Sequence, residues 1–178
     1  MKVFVAGPRA ISKLNSNIVS RLKNLIDRNF MVLVGDANGI DKAVQNFFSE
    51  NNYDKVRVFS SNGKVRNNLG NWNVECVNVP SGVKGFDFYA AKDIEMANHA
   101  DYGFMIWNGK SRGTFTNIVN LVNQRKDVLI YFTPHKKFYK VSTPEAINQL
   151  LKIRDQELTN NPDRASEIKA TNEQVSLF

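Results

Sequence analysis

The sequence contains little of what cysteine chemistry, histidine chemistry or membrane insertion requires. Its 178 residues include one cysteine, Cys76, so an internal disulfide is excluded. The sequence has two histidines, His99 and His135, which with one cysteine are too few for a zinc cluster and leave little basis for a Cys/His catalytic pair. No apolar run approaches the roughly 20 residues of a membrane-spanning helix. We therefore expect no metal site and no association with a membrane.

Two widespread phosphate-binding patterns are absent as well. Neither the Walker A pattern Gly-x-x-x-x-Gly-Lys-Ser/Thr nor the Rossmann pattern Gly-x-Gly-x-x-Gly occurs, and we predict no cofactor. The first residues enter a strand-like pattern at Lys2 without the layout of a signal peptide. Together with the single cysteine, this leads us to expect a cytoplasmic protein.

What the chain does have is positive charge and enough apolar residues for a core. Lys and Arg number 24 against 17 Asp and Glu, which gives a net charge of +7, and 42% of the residues are hydrophobic. The charge favours a polyanionic partner, either a phosphorylated small molecule or nucleic acid, although it also serves solubility alone. Because the cations form small clusters instead of one run, composition does not decide between these partners.

Short β-branched and aromatic runs alternate with amphipathic helical patterns over the first 132 residues. Lys2–Ala6 and residues 30–34 are typical of the strands, and each is followed by a turn and a helical stretch. This alternation predicts an α/β fold, a Rossmann-like three-layer sandwich with a mainly parallel sheet of about five strands. The composition further predicts one domain over residues 1–158 and a polar tail over residues 159–178.

Three loops follow predicted strands: residues 7–14, 35–39 and 108–114. In a parallel sheet, ligands bind outside the carboxyl ends of the strands, so we expect the three loops to build one pocket. The predicted ligand-binding residues are Gly7, Pro8, Arg9, Gly35, Asp36, Asn38, Gly39, Asp41, Trp107, Gly109, Lys110, Ser111, Arg112, Gly113 and Thr114.

The third loop gives the most specific signal. At the start of a predicted helix, Gly113 and Thr114 supply backbone N–H donors. Lys110, Ser111 and Arg112 add two positive charges and a hydroxyl. This combination predicts an anion site of the kind that holds a phosphate.

The same three loops resemble those of a known family. The segments Gly-Pro-Arg (7–9), Gly-Asp-Ala-Asn-Gly-Ile-Asp-Lys (35–42) and Trp-Asn-Gly-Lys-Ser-Arg-Gly-Thr (107–114) are similar to motifs of the SLOG superfamily of Rossmann-like proteins, especially its YspA/YpsA-related branch. The superfamily includes the DNA-processing protein DprA and the lonely-guy phosphoribohydrolases. The resemblance extends from residue 2 to about residue 132. It implies a nucleotide or nucleotide-derived ligand bound across the three loops.

A more distant similarity to nucleoside 2-deoxyribosyltransferases leaves an enzymatic alternative open. It rests on residues 3–8 and on the region around Asp93. Those enzymes and the phosphoribohydrolases cleave N-glycosidic bonds with the help of a glutamate. In the hydrolases this glutamate lies three positions after a threonine, and Thr114 matches that threonine. This chain has Asn117 there, and an amide cannot replace a carboxylate as nucleophile or as counter-charge. If the chain is an enzyme, Asp93 or Glu95 is the predicted catalytic residue.

The last residues suggest a third function. Residues 174–178, Gln-Val-Ser-Leu-Phe, resemble the peptide with which bacterial proteins bind the DNA sliding clamp. In such a peptide Leu177 and Phe178 anchor in an apolar groove and Gln174 hydrogen-bonds at its rim, whereas the alternative is that both anchors fold back onto the domain. The motif predicts a DNA-associated accessory factor of a bacterium or phage. The sequence does not determine the oligomeric state, and a homo-oligomer is among the alternatives.

Overall fold

The computed structural model describes residues 1–160, which form a single sheet with helices on both faces. In chain order the elements are β1 (Lys2–Ala6), α1 (Ser16–Asp27), β2 (Met31–Gly35), α2 (Ile40–Glu50), β3 (Val56–Ser61), β4 (Val74–Val77), α3 (Gly85–His99), β5 (Tyr102–Trp107), α4 (Arg112–Asn123), β6 (Val128–Phe132), β7 (Lys137–Val141) and α5 (Pro144–Asn160).

The sheet has seven strands in the order β4-β3-β2-β1-β5-β6-β7. All neighbouring strands are parallel except β6 and β7, which pair antiparallel. The predicted α/β class and mainly parallel sheet are therefore confirmed, but the predicted number of about five strands is too low. The two outermost strands, β4 and β7, account for the difference. Edge strands are buried less completely, so they lack the continuous apolar run that marks the inner strands.

Alternate residues of β1 face two separate apolar layers. Val3 and Val5 pack with Leu22 of α1 and Phe48 of α2 on one face of the sheet. Phe4 faces the opposite layer, where α3, α4 and α5 pack. This division follows from the two-residue period of a strand, and it gives the three-layer arrangement.

The strand order reverses direction at β1. From β1 the chain proceeds outward through β2, β3 and β4, and α3 then carries it back to β5 on the other side of β1. The connections that leave the carboxyl ends of β1 and β5 therefore go to opposite faces, which opens a crevice between them. Within residues 1–160, no helix is both long enough and apolar enough to cross a membrane.

Candidate functional site

A cleft of about 670 Å³ lies at the carboxyl ends of β1 and β5, where the strand order reverses. The last residue of β1 with residues 7–10, and Asn108 with residues 110–114 after β5, contribute two of its walls. The first half of α3 contributes the rim, and buried polar residues of α2, α3 and α4 form the floor.

The wall after β5 is held in shape by its own hydrogen bonds. The Asn108 side-chain oxygen accepts from the backbone N–H groups of Lys110 and Ser111, at 3.0 and 2.9 Å. Ser111 caps α4, since its Oγ accepts from the Thr114 N–H, and the two hydroxyls lie 2.9 Å apart. A β-carbon added to Gly113 would come into ordinary van der Waals contact with the ring of Phe86, at 3.9 Å, so the first turn of α4 and this ring face each other in the cleft.

Aromatic rings and guanidinium groups alternate along the rim. The guanidinium of Arg112 lies over the ring of Phe86, 4.5 Å from its centre. Those of Arg9 and Arg66 lie over Tyr89, at 5.0 and 4.8 Å. Both rings remain more than a third exposed. The rim therefore combines stacking surfaces with positive charge.

The floor is a cluster of buried charges. The ammonium of Lys92 lies 2.6 Å from Oδ1 of Asp93, and the amide of Asn117 donates to Oδ2 of Asp93 at 3.3 Å. Asp41, in the first turn of α2, accepts from the Ala37 N–H at 3.3 Å. Glycine is required at position 35, because an added β-carbon would overlap the Asp41 carboxylate and lie 2.6 Å from the Lys92 ammonium.

Burial sets the protonation of this floor. Removal from water raises the pKa of Asp41 to about 6, a rise that Lys92 opposes and Asp93 supports. Burial alone would lower the pKa of Lys92, but the carboxylates of Asp93, Asp41 and Asp36 outweigh it and the pKa is raised. Lys92 is therefore charged at neutral pH, and it is the cation that stabilises the carboxylates of the floor.

In the loop after β2, Ala37 lines the cleft, whereas Asp36 lies outside the lining and faces one of the protein's own cations. Asp36 is 2% exposed, and the guanidinium of Arg66 binds both of its oxygens, at 3.0 and 2.6 Å. Burial would raise the pKa of Asp36, but the hydrogen bonds and charge of Arg66 lower it below its ordinary value. Gly39, at φ 82°, lies against the Arg9 backbone, where an added β-carbon would be 2.5 Å from the carbonyl oxygen.

The structure brings many of the predicted residues together. Those that line the cleft are Gly7, Pro8, Arg9, Asp41, Lys110, Ser111, Arg112, Gly113, Thr114 and Asp93. Six others lie outside the lining, namely Gly35, Asp36, Asn38, Gly39, Trp107 and Gly109. Glu95 also lies outside it, 3.3 Å from His99. The predicted roles in binding and catalysis stay predictions.

Sequence reasoning missed Lys92, Arg66 and the two rim aromatics, Phe86 and Tyr89. One signal was present for Lys92, because it precedes the buried Met96 by four residues on the same face of α3 and is a charged residue in an apolar stripe. Gln174, Leu177 and Phe178, which are predicted to bind the sliding clamp, lie outside the described residues.

Comparisons with known proteins give matches in structure and none in sequence: no family model and no curated protein matches the chain. DNA processing protein A from Helicobacter pylori, described for its unique single-stranded DNA binding mode, superimposes with a TM-score of 0.59 at 15% identity, over 92% of this chain and 81% of that one. The X-ray structure of DprA from Streptococcus pneumoniae gives a TM-score of 0.57 at 17% identity, over 90% of this chain and 61% of that one. The predicted likeness to DprA is thus confirmed for the fold, and this chain has the Rossmann-like fold of the DNA processing protein A structures.

Proposed function

We propose that the protein binds a nucleotide in the cleft between β1 and β5, with the phosphate at the N-terminus of α4. One observation carries the proposal: the start of α4, with Ser111 as its cap and Lys110, Arg112 and Gly113 beside it, lines the cleft. The N–H groups of a first helical turn have no acceptor within the helix and attract an anion. The exposed ring of Phe86 lies within the same cleft and offers a surface for the base.

The test is isothermal titration with the mononucleotides AMP, GMP, CMP and UMP and with the four matching nucleosides. We expect at least one mononucleotide to bind and its nucleoside to bind at least about tenfold more weakly, because only the nucleotide carries the phosphate. Arg112→Ala should weaken nucleotide binding about tenfold. Lys23→Ala removes one charge from the exposed face of α1 and should leave binding unchanged. Equal binding of nucleoside and nucleotide would contradict the proposal.

A second candidate, single-stranded DNA binding, is favoured by the rim. Phe86 and Tyr89 are exposed, and three guanidinium groups lie over them. Aromatic rings beside cations are the usual means of holding unpaired bases and their backbone. The Helicobacter pylori neighbour is described as binding single-stranded DNA.

Fluorescence anisotropy with a labelled oligothymidylate separates this candidate from the first. If the rim stacks bases, Phe86→Ala should weaken binding about tenfold, in keeping with about 1–3 kcal/mol for each stacked base. Ile94→Ala removes another exposed apolar side chain of α3 outside the cleft and serves as the control. A Phe86→Ala protein that binds as tightly as the wild type excludes base stacking on this ring.

An N-glycosidic enzyme is the third candidate, and the position of Asp93 favours it. Asn117 occupies the place where the related hydrolases carry glutamate, and its amide holds the Asp93 carboxylate in the cleft. The carboxylate of Asp93 on α3 thus lies beside the position on α4 at which the hydrolases have a glutamate and this chain has Asn117. Chromatographic detection of base released from the four nucleotides tests this, with turnover lost in Asp93→Ala and retained in Glu95→Gln. Absence of base release from every nucleotide that binds excludes it.

A further inference from the structure

The cleft has two chemically opposite ends. At the start of α4, Lys110, Arg112 and first-turn N–H groups offer donors and positive charge. At the floor, Asp41 and Asp93 offer carboxylates, and the one lysine there, Lys92, is 4% exposed. A ligand that fills both ends must place an anion at the first and hydrogen-bond donors at the second, because carboxylates repel a phosphate.

Asp93 is the floor residue best placed to contact a ligand. Its side chain is 22% exposed, whereas Asp41 and Asn117 are 6% and 3% exposed. One oxygen of the Asp93 carboxylate accepts a hydrogen bond from Lys92, and the other accepts one from Asn117. An ionised carboxylate offers about four lone-pair positions, so each oxygen keeps a position for a donor from the cleft. Lys92 and Asn117 also fix the carboxylate in place, which makes them positioning residues.

The spacing along α4 matches a phosphorylated sugar. Asn117, which contacts Asp93, lies six positions after the cap residue Ser111. At 1.5 Å per residue, the helix rises roughly 9 Å between these two positions. This rise along the helix axis is comparable to the length of a pentose with a hydrogen bond at each end, so one sugar could connect a phosphate at the helix start to the carboxylate beside Asn117. The base then extends toward the rim, where Phe86 lies.

We propose that Asp93 accepts a hydrogen bond from a ribose hydroxyl of the bound nucleotide, so that the cleft selects ribonucleotides over analogues that lack the hydroxyls. The inference rests on the proposed nucleotide binding and adds the part of the ligand that the floor recognises. A hydroxyl is the matching group because it donates to a carboxylate without adding negative charge.

The experiment compares three forms of the tightest-binding mononucleotide by isothermal titration: the ribonucleotide, its 2′-deoxy form and its 2′,3′-dideoxy form. For the wild type we expect the dideoxy form to bind about 10- to 100-fold more weakly, the usual range for a hydrogen bond to a charged group. In Asp93→Ala the ratio should fall below about threefold. Asp93→Asn keeps the shape and loses the charge, and its ratio should lie between the two. Asp87→Ala removes an exposed carboxylate of the same helix that does not line the cleft, and it should keep the wild-type ratio.

The outcomes separate the two proposals. If a nucleotide binds but the three sugars bind equally well, or if Asp93→Ala keeps the wild-type ratio, the assignment of Asp93 is overturned and nucleotide binding stands. If none of the four mononucleotides binds, both proposals are overturned. Should Asp93→Ala fail to fold, as judged by circular dichroism, the ratio in Asp93→Asn decides: an unchanged ratio overturns the assignment.

Discussion

The loops after β2 and after β5 are similar in sequence and opposite in charge. Each carries two glycines around polar residues and leads into a helix, α2 or α4. In the loop after β2 the charged residues are Asp36 and Asp41, which are buried and matched by cations from other segments. In the loop after β5 the charged side chains are those of Lys110 and Arg112, and both line the cleft.

The two loops therefore differ in the sign of their charge and in where that charge is matched, and we expect this difference to separate a structural loop from a binding loop of this shape. A carboxylate at a helix start is stabilised by the helix dipole and attracts the chain's own cations, here Arg66 to Asp36 and Lys92 to Asp41. A cation at a helix start is not stabilised by that dipole, but it makes the site attractive to an anion. Four experiments can break or sharpen this distinction.

The largest effect is expected for Lys92→Met. Without the ammonium, the buried Asp41 and the partly exposed Asp93 lose the cation beside them, and the free energy of unfolding should fall by about 4 kcal/mol. Lys140→Met is the matched control, since Lys140 also lies 2.7 Å from an aspartate but in an exposed pair, and it should leave stability unchanged. Equal effects in a denaturant titration would show that the floor is not a structural cluster.

Gly39→Ala should cost about 3 kcal/mol. The φ of 82° disfavours any side chain, and the added β-carbon would overlap the Arg9 backbone, which cannot move without shifting the cleft wall. At Gly63 the φ is 77° but no atom lies within 4 Å, so Gly63→Ala should cost only about 1 kcal/mol. Chemical unfolding of both variants measures the difference, and equal losses would mean that the contact between the loops contributes nothing.

Stability should depend on pH through Asp41. Burial raises its pKa from the ordinary 3.8 to about 6, so between these values the folded protein binds more protons than the unfolded chain. The contribution of Asp41 to the free energy of unfolding then decreases as the pH rises, by about 2 kcal/mol from about pH 4.5 to about pH 6.5. The groups that surround Asp41 are Lys92, Asp93, Asp36 and Arg66.

Asp41→Asn isolates this contribution, since all other titrating groups are common to both proteins. Unfolding titrations across that pH range should show a flatter dependence for the variant. Parallel curves for the two proteins would assign the pH dependence to another group.

The smallest effect is expected for Ser111→Ala. Loss of the cap of α4 should cost about 1 kcal/mol of stability. Thr143→Ala removes the comparable hydroxyl at the start of α5, where Thr143 Oγ1 accepts from the Ala146 N–H, and should cost a similar amount. Only Ser111→Ala should also weaken nucleotide binding, because Thr143 lies outside the cleft. Equal binding by the two variants would indicate that the cap shapes the helix without contacting the ligand.

The central strands and the cleft position could be predicted because they depend on local patterns. The buried runs that became β1, β2, β5 and β6 are continuous, and turns that follow parallel strands lie at one edge of the sheet. The edge strands were harder to predict from the sequence. All four residues of β4 are half-buried or exposed, and its apolar residues show no clear period.

The floor could not be predicted, because it depends on which side chains meet across the fold. Asp93 contacts Asn117, 24 positions later in the chain, and Arg66 reaches Asp36 from a loop whose sequence shows no regular pattern. Asn117 was recognised only as a missing carboxylate, whereas in the structure its amide holds one. A pattern of single residues contains no signal for such a pairing.

The central position of β1 has a consequence for how the chain folds. Val3 pairs with Val32 on one side and with Tyr102 on the other, so the second pairing closes a loop of about a hundred residues. Contacts so distant along the chain form slowly, and β1 keeps an open edge until β5 has been synthesised. The cleft lies on this junction, so the proposed nucleotide binding should appear only after the two halves of the sheet have joined.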